Sequence, residues 1–476
     1  MHPVCKRVRL ALIAGVAGSV LAAAPAFAQK ASTTDLEKRI QALEAALNAV
    51  KAELDAAKTQ AQAAQQAAAQ SQAQSQAQTA AAADKAAETK TFASRLEAIE
   101  KKAATVTDGF KVGNTTVRIN GYVKLDVLAS RFSGGDPAAN TLVNDYYFPA
   151  QIPVGGVSEG FNVTTSVRET RFFFRTETPV GETALTSHLE LDFLDTNTGG
   201  NQRISNSFVP RVRRAFVSYG GWTLGQDWST FQNPSALPER LDFVGPTEGT
   251  VFERQPLIRY KHGIFTFAIE NPETTATLGT TSAEADDDVA PDFVARVDKK
   301  TKVGTFALAG IARVLKVDNS AAPVPFGTPG DIKGTEFGWG ISASGVHDFG
   351  PSRITWMGTF GEGLGRYLGL NIRDDVVVST AGDIDAPFMY SGFFSYRYAF
   401  TPKFKAVGTL SGFRSDTPDF ASLSLTKSIW SANLDLLYNP WKPLSLGVGY
   451  RFAKRTLENS LDDTLNRLQF SAQYNF

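Results

Sequence analysis

The sequence predicts an all-β protein: a 16-stranded antiparallel transmembrane β-barrel preceded by an N-terminal α-helical coiled coil. Three observations predict it. After Gly109, apolar and polar residues alternate with a period of two along most of the chain. The connections between these segments alternate between short and long, as in outer-membrane barrels. Ahead of them lies an apolar heptad seam.

Residues 1–28 read as a secretory signal peptide. Lys6, Arg7 and Arg9 make the positive region, residues 10–21 are apolar, and Ala26-Phe27-Ala28 is a small-x-small cleavage site. The one cysteine, Cys5, precedes the apolar run, so the mature chain is cysteine-free. That excludes disulfides, thiolate catalysis and thiolate metal sites. The chain carries 48 basic and 48 acidic residues, and losing the three signal cations leaves −3. A nucleic-acid partner would need a basic surface. No mature stretch approaches the roughly 18 apolar residues of a transmembrane helix.

Residues 29–107 are expected to form a periplasmic coiled coil. Leu36, Ile40, Leu43, Leu47, Val50 and Leu54 are spaced by alternating fours and threes, an a/d seam. The same frame reaches Phe92, Leu96 and Ile99 across an Ala/Gln-rich low-complexity centre. One apolar stripe on a long helix needs a partner, and self-association supplies one economically; the seam does not specify the number of strands.

Residues 115–476 are expected to form the outer-membrane barrel. Sixteen alternating segments lie near 116–131, 165–178, 183–195, 211–220, 222–228, 255–262, 263–271, 292–298, 301–315, 334–348, 352–364, 386–399, 402–415, 424–438, 442–456 and 465–476. Seven short turns and eight long loops join them, as an even-stranded barrel with both ends on one side requires. No backbone group can stay unpaired in lipid, so such a sheet must close. Tyr219 with Trp222, and Tyr438 with Trp441, flank short turns, where interfacial aromatics belong.

The stretches GYVKLDVLASRF, NDYYFPAQIP, TRFFFRTETPVGE, RRAFVSYGGWTLGQDWSTF and ALPERLDFVGP resemble the DcaP-type trimeric outer-membrane porins. The helical seam before the barrel is similar to that family's periplasmic coiled coil, so the resemblance covers essentially the whole chain. It implies a homotrimer of 16-stranded channels, anion-selective and associated with small dicarboxylates. Phe476, ending an alternating apolar strand, looks like the signal read by the outer-membrane assembly machinery.

Parity then assigns the lumen. With Phe172 and Phe174 outward, Arg171 and Arg175 face water; the same logic turns Arg118, Lys124, Arg214, Arg259, Lys261, Arg296, Arg313, Arg353, Arg397, Lys427, Arg451 and Arg467 inward. Inward acids are fewer: Asp126, Glu169, Glu177, Glu190, Asp192, Glu270, Asp298 and Asp435. Strand four is ambiguous, because placing Arg214 inward leaves Arg213 outward and a one-residue slip swaps them. Connection 229–254 is aperiodic, and loops this long usually carry function. As the third outer loop it is expected to fold inward as a constriction carrying Glu239, Arg240, Asp242, Glu248, Glu253 and Arg254. Its acids would face Arg171, Arg175, Arg214 and Arg259.

His188, with Glu190 and Asp192 on one strand face, is the strongest hint of catalysis or metal binding. Nothing completes it, and a solvated lumen patch is the better reading. The expectation is therefore no enzyme, no metal and no cofactor. The expected function is passive diffusion of small anionic solutes, with (di)carboxylates as the expected substrates, across the outer membrane of a Gram-negative cell. The alternatives are a non-specific diffusion porin and a structural envelope tether anchored by the barrel.

Overall fold

In the computed structural model, the chain divides into two units, Met1–Lys101 and Lys102–Phe476. The structure describes residues 109–139, 141–194, 205–285, 287–319 and 332–476, together with Glu44, Lys51 and Lys58. The signal-peptide and coiled-coil expectations lie outside the described residues.

Among the described residues, the second unit is a closed antiparallel barrel of sixteen strands. The first three are β1 (Thr115–Phe132), β2 (in two runs, Asn162–Ser166 and Arg171–Val180) and β3 (Thr183–Asp192). A low wall follows: β4 (Arg211–Tyr219), β5 (Trp222–Trp228), β6 (Arg254–His262), β7 (Phe265–Glu270) and β8 (Asp292–Lys300). The remaining wall is β9 (Thr305–Asp318), β10 (Lys333–Phe349), β11 (Ser352–Glu362), β12 (Phe388–Thr401), β13 (Phe404–Ser415), β14 (Thr426–Trp441), β15 (Leu444–Leu457) and β16 (Asp462–Asn475). β1 pairs with β2 on one side and with β16 on the other, which closes the sheet. The backbone of Phe476 seals the seam: its N–H donates to Gly121 O at 3.0 Å and its carbonyl accepts from Gly121 N at 3.1 Å.

Outward positions follow the predicted parity. Val123 and Leu125, Phe267 and Ile269, and Trp430 and Leu434 are all exposed on the outer face. The inner face departs from it. In place of an all-polar inner face, inward residues of β7 to β14 include Ala268, Val294, Ile311, Met357, Phe393, Phe413 and Ile429 in one buried apolar cluster. Loop side chains complete that cluster, namely Phe231, Val251, Leu364, Tyr367 and Leu368. Both faces of these strands are apolar because loops, rather than water, cover the inner one.

Three connections supply the cover. Residues 229–253, between β5 and β6, reach inward-facing positions far around the sheet: Asn233 Nδ2 donates to Ser344 Oγ of β10 at 2.9 Å, and Ser411 Oγ of β13 donates to Glu248 Oε1 at 2.7 Å. Residues 142–152 pack Tyr147 under Arg451 of β15, with the guanidinium 4.1 Å from the ring centroid. Residues 363–385 meet the connection between β7 and β8 in a separate four-stranded sheet. In it Thr275–Leu278 runs parallel to Val376–Val378, flanked by Thr281–Glu284 and Ile384–Asp385. The alternation pattern assigned both connections only to loops and did not reveal this sheet.

Gly249 shows how tightly the first of these loops sits. A Cβ there would lie 2.3 Å from Gly392 O of β12, a backbone atom that cannot swing aside. G249A is therefore expected to lift the loop from the wall and speed proteolysis within 229–253 while the barrel stays folded. Limited proteolysis checks this, and unchanged protection would show that the wall yields instead.

Candidate functional site

The inner wall of β2 to β6 carries charges of alternating sign. Glu190 of β3 lies 3.2 Å from Arg171 Nη1 of β2, 2.7 Å from Arg213 Nε and 3.5 Å from Arg214 Nη1 of β4. Asp192 takes Arg213 Nη1 at 2.8 Å and Arg211 Nε at 2.6 Å. Asp227 of β5 bridges Arg214 Nε at 2.6 Å and Arg259 Nη1 of β6 at 2.8 Å. A guanidinium fork donates in one plane, so one arginine can hold two carboxylates and one carboxylate two arginines.

The ambiguity in strand four resolves through a bulge. The β3–β4 register shifts between Glu190, opposite Arg214, and Leu191, opposite Val212. The extra residue is Arg213, so Arg213 and Arg214 both point inward, while Val212 is exposed outside. Neither alternative, with only one of the two inward, is what the structure shows. Sequence alternation cannot show a bulge, because a bulge is the one place where the period of two fails.

The other predicted cations divide into two groups. Arg259 and Arg296 line an open cavity of about 240 Å³ with Arg214, Lys261, Asp227 and Asp298. Each is fastened to the third loop: Arg259 Nε donates to Thr230 Oγ1 at 2.9 Å, and Arg296 Nη1 donates to Gln232 O at 2.6 Å. Arg118 pairs with Glu177 at 2.7 Å, and Arg175 donates to His188 Nδ1 at 3.1 Å; both remain partly exposed. His188 also lies 3.4 Å from Glu190 and stacks on Phe216, so it belongs to the ladder.

Lys124 and Arg313 correct the expectation of open pore-lining cations. Both face inward but are sealed by loops. Lys124 bonds Glu169 and donates to Leu241 O of the third loop at 2.5 Å. Arg313 is 1% exposed; it is held by Asp292 at 3.0 Å and by Asp375 at 2.6 Å. Arg451 and Arg467 are buried in the same way beneath 142–152, with Arg467 Nη2 donating to Val143 O at 2.5 Å.

The acids of the third loop also meet other partners than expected. Glu239 takes Arg397 Nη1 at 2.8 Å and Lys405 Nζ at 2.5 Å, from β12 and β13. Burial pushes its carboxyl up, but the Lys405 ammonium and the Arg397 guanidinium outweigh this and hold it below the usual carboxylate range. Asp242 accepts from the backbone N–H groups of Tyr147, Val244 and Gly245 at 2.7, 3.2 and 3.0 Å, so it fastens loop to loop. Glu248 is fully buried on Ser411. Glu253 lies 3.9 Å from Arg366. Arg240 donates to the carbonyls of Phe243 and Pro238, and Arg254 stacks over Trp228 and Phe252. None of these four acids is bonded to Arg171, Arg175, Arg214 or Arg259. Sequence reasoning missed Asp227, Asp292 and Asp375: alternation turns the first two inward as well, near strand ends, and only Asp375 lies in a loop where parity assigns nothing.

The family model described as DcaP outer membrane protein matches residues 53–268. Among solved structures, the outer membrane channel DcaP of Acinetobacter baumannii is similar at 19% identity with a TM-score of 0.63, covering 78% of this chain and 100% of that one. An anion-selective porin from Comamonas acidovorans is similar at 14% identity with a TM-score of 0.46, covering 76% and 100%. OmpT of Vibrio cholerae matches at 12% identity and 0.46, covering 78% and 100%. No curated protein matches the chain. The matched family is described as an outer membrane protein, and the DcaP structure as an outer membrane channel.

Removing one member of a fully buried ion network costs roughly 3–5 kcal/mol, against about 0–1 kcal/mol for a solvated pair. R213M, which removes the one fully buried cation shared by Glu190 and Asp192 and leaves them to the partly exposed Arg171, Arg214 and Arg211, is therefore expected to lower the unfolding midpoint of the barrel in urea below that of R118M. Equal midpoints would mean that water reaches Arg213.

Proposed function

We propose that the chain is a DcaP-like outer-membrane porin and that it conducts small anions, with short mono- and dicarboxylates as the substrate class. The observation that carries this is the cavity beneath the third loop. Four cations (Arg214, Arg259, Lys261 and Arg296) line it against two carboxylates (Asp227 and Asp298). The excess lowers the barrier for an anion and raises it for a cation. The arginines are held by loop and wall, so they are ordered before a solute arrives and little side-chain freedom is lost on contact. Residues 229–253 act as the constriction. Its loop acids Glu239, Asp242 and Glu248 spend their charge on anchoring, which leaves the passage basic.

The test is a single channel in a salt gradient. The wild-type protein is expected to show an anionic reversal potential and a saturable block by succinate. R259Q with R296Q moves that potential toward zero. Deletion of 234–248 raises conductance and weakens selectivity. A cationic potential would overturn the anion reading, and conductance unaltered by the deletion would place the loop outside the path. Block that never saturates would favour a general diffusion porin.

The working unit we propose is a homotrimer in the outer membrane, with residues 29–107 as its periplasmic coiled coil and Phe476 as the assembly signal. The low wall supports the oligomer. β5 has 7 residues and β7 has 6, against 17 in β10 and 16 in β14. At about 3.3 Å per residue and the usual tilt, a strand of seven rises less than the apolar band of about 25 Å. On the outer face of β5, Trp222 and Leu224 are followed by Gln226, whereas β14 presents Trp430, Leu434, Leu436 and Tyr438. Protein from a second copy covers such a wall better than lipid. L224R is expected to yield monomers by native mass spectrometry and L434R to retain trimers; the reverse pattern would place the interface elsewhere.

A further inference from the structure

At the long-loop end of the barrel, three connections meet around a second cavity of about 230 Å³. It is separate from the basic cavity under the third loop and shares none of its lining residues. Hydroxyl and amide groups dominate the lining, with Thr277, Ser282, Asn371 and Thr426 among them, and two arginines complete it, Arg373 and Arg455.

Both arginines converge on one residue. Arg373 Nη1 donates to Thr426 O at 2.8 Å, and Arg455 Nε donates to Thr426 Oγ1 at 3.0 Å. Two cations lining one half-closed space attract a counter-charge. The wall supplies only part of it. Arg373 reaches Glu458 Oε1 at 3.4 Å, but that carboxylate also takes Thr417 Oγ1 and lies 3.8 Å from Lys427 Nζ. The other acid at the cavity, Asp374, is taken up by Thr277 Oγ1 and by Asn371 Nδ2 at 2.9 Å. Arg455 has no carboxylate partner among the described residues; its Nη1 donates to Ile152 O at 2.8 Å. Arg373 is 4% exposed, and its Nη2 is buried with no hydrogen-bond partner. Arg455, with only neutral acceptors on its fork, is the cation left for a guest, and a carboxylate is what a guanidinium fork holds best.

We infer that this cavity is an outer-mouth binding site for a small carboxylate, held between Arg373 and Arg455. It deepens the anion-channel reading and rests on it: the site captures the solute at the external entrance, ahead of the basic cavity below. A water takes about 30 Å³, so the space suits a short acid with a few waters and excludes an oligosaccharide. The hydroxyls around it hydrogen-bond the second carboxylate or a hydroxyl of the guest without adding charge. The lysine–carboxylate attraction that steers from a distance is not required; the arginine forks give contact and orientation.

Succinate added to one side of an oriented single channel tests this by the frequency of its blocking events. Orientation is read with D419C, an exposed loop position, which a bulky maleimide attacks from the outer side. R455Q is expected to lower the frequency of blocks from the outer side at least threefold. It leaves the inner-side frequency and the salt-gradient reversal potential unchanged. R455K, which keeps the charge but not the fork, recovers part of the loss. R373Q acts in the same direction; because Arg373 is buried, its folding is checked by heat-resistant migration on gels. An outer-side frequency unaltered by R455Q would overturn the mouth site and leave the pore reading standing. A fall from both sides with a shifted potential would also overturn it, since Arg455 would then act on the pore itself. A cationic wild-type potential would remove the reading beneath both.

Discussion

Backbone pairing is the constraint on which the rest of this protein depends. A strand edge in hydrocarbon leaves N–H and C=O groups with nothing to bond, so β1 must meet β16. It does so along Tyr122–Phe132, and Gly121 and Phe476 exchange a further pair of bonds at the seam. Closure makes a lumen, and a sixteen-stranded lumen is wide enough to remain a water channel unless something fills it. Here three connections fill much of it.

That filling explains the burial of so many charges. A guanidinium under a loop cannot reach bulk water, so it stays charged only with a carboxylate or carbonyl beside it. Arg313, with Asp292 and Asp375 on either side, and Arg213, between Glu190 and Asp192, follow this rule. These residues order the loops against the wall. Arg214, Arg259 and Arg296 occupy the boundary, each bonded on one side and open to the cavity on the other. Inward-pointing arginine and cavity-lining arginine are therefore different sets.

Much of this was legible in the residues. The sixteen segments read from alternation correspond one to one with the sixteen strands, to within a few residues at most ends. Trp222, Tyr438 and Trp441 stand beside short turns, as interfacial aromatics should. The stretches RRAFVSYGGWTLGQDWSTF and ALPERLDFVGP carried the resemblance, and the aperiodic run 229–254 marked the loop. What parity missed is instructive: the β4 bulge at Arg213, the apolar inner face of β7 to β14, and the partners of Glu239 and Glu248. Each arises where a neighbour remote in sequence replaces water as the surroundings of a side chain.

The sequence by itself determined the strand number, the closed sheet and the inward or outward side of nearly every strand residue. It could do so because these follow from a local period of two and from the lengths of consecutive connections. Which inward charges are sealed and which stay open to a cavity was settled only by the tertiary structure. Glu239 finds Arg397 158 positions away, and Glu248 finds Ser411 163 positions away. No periodicity spans such separations, and only packing of a loop across a closed barrel brings these groups together.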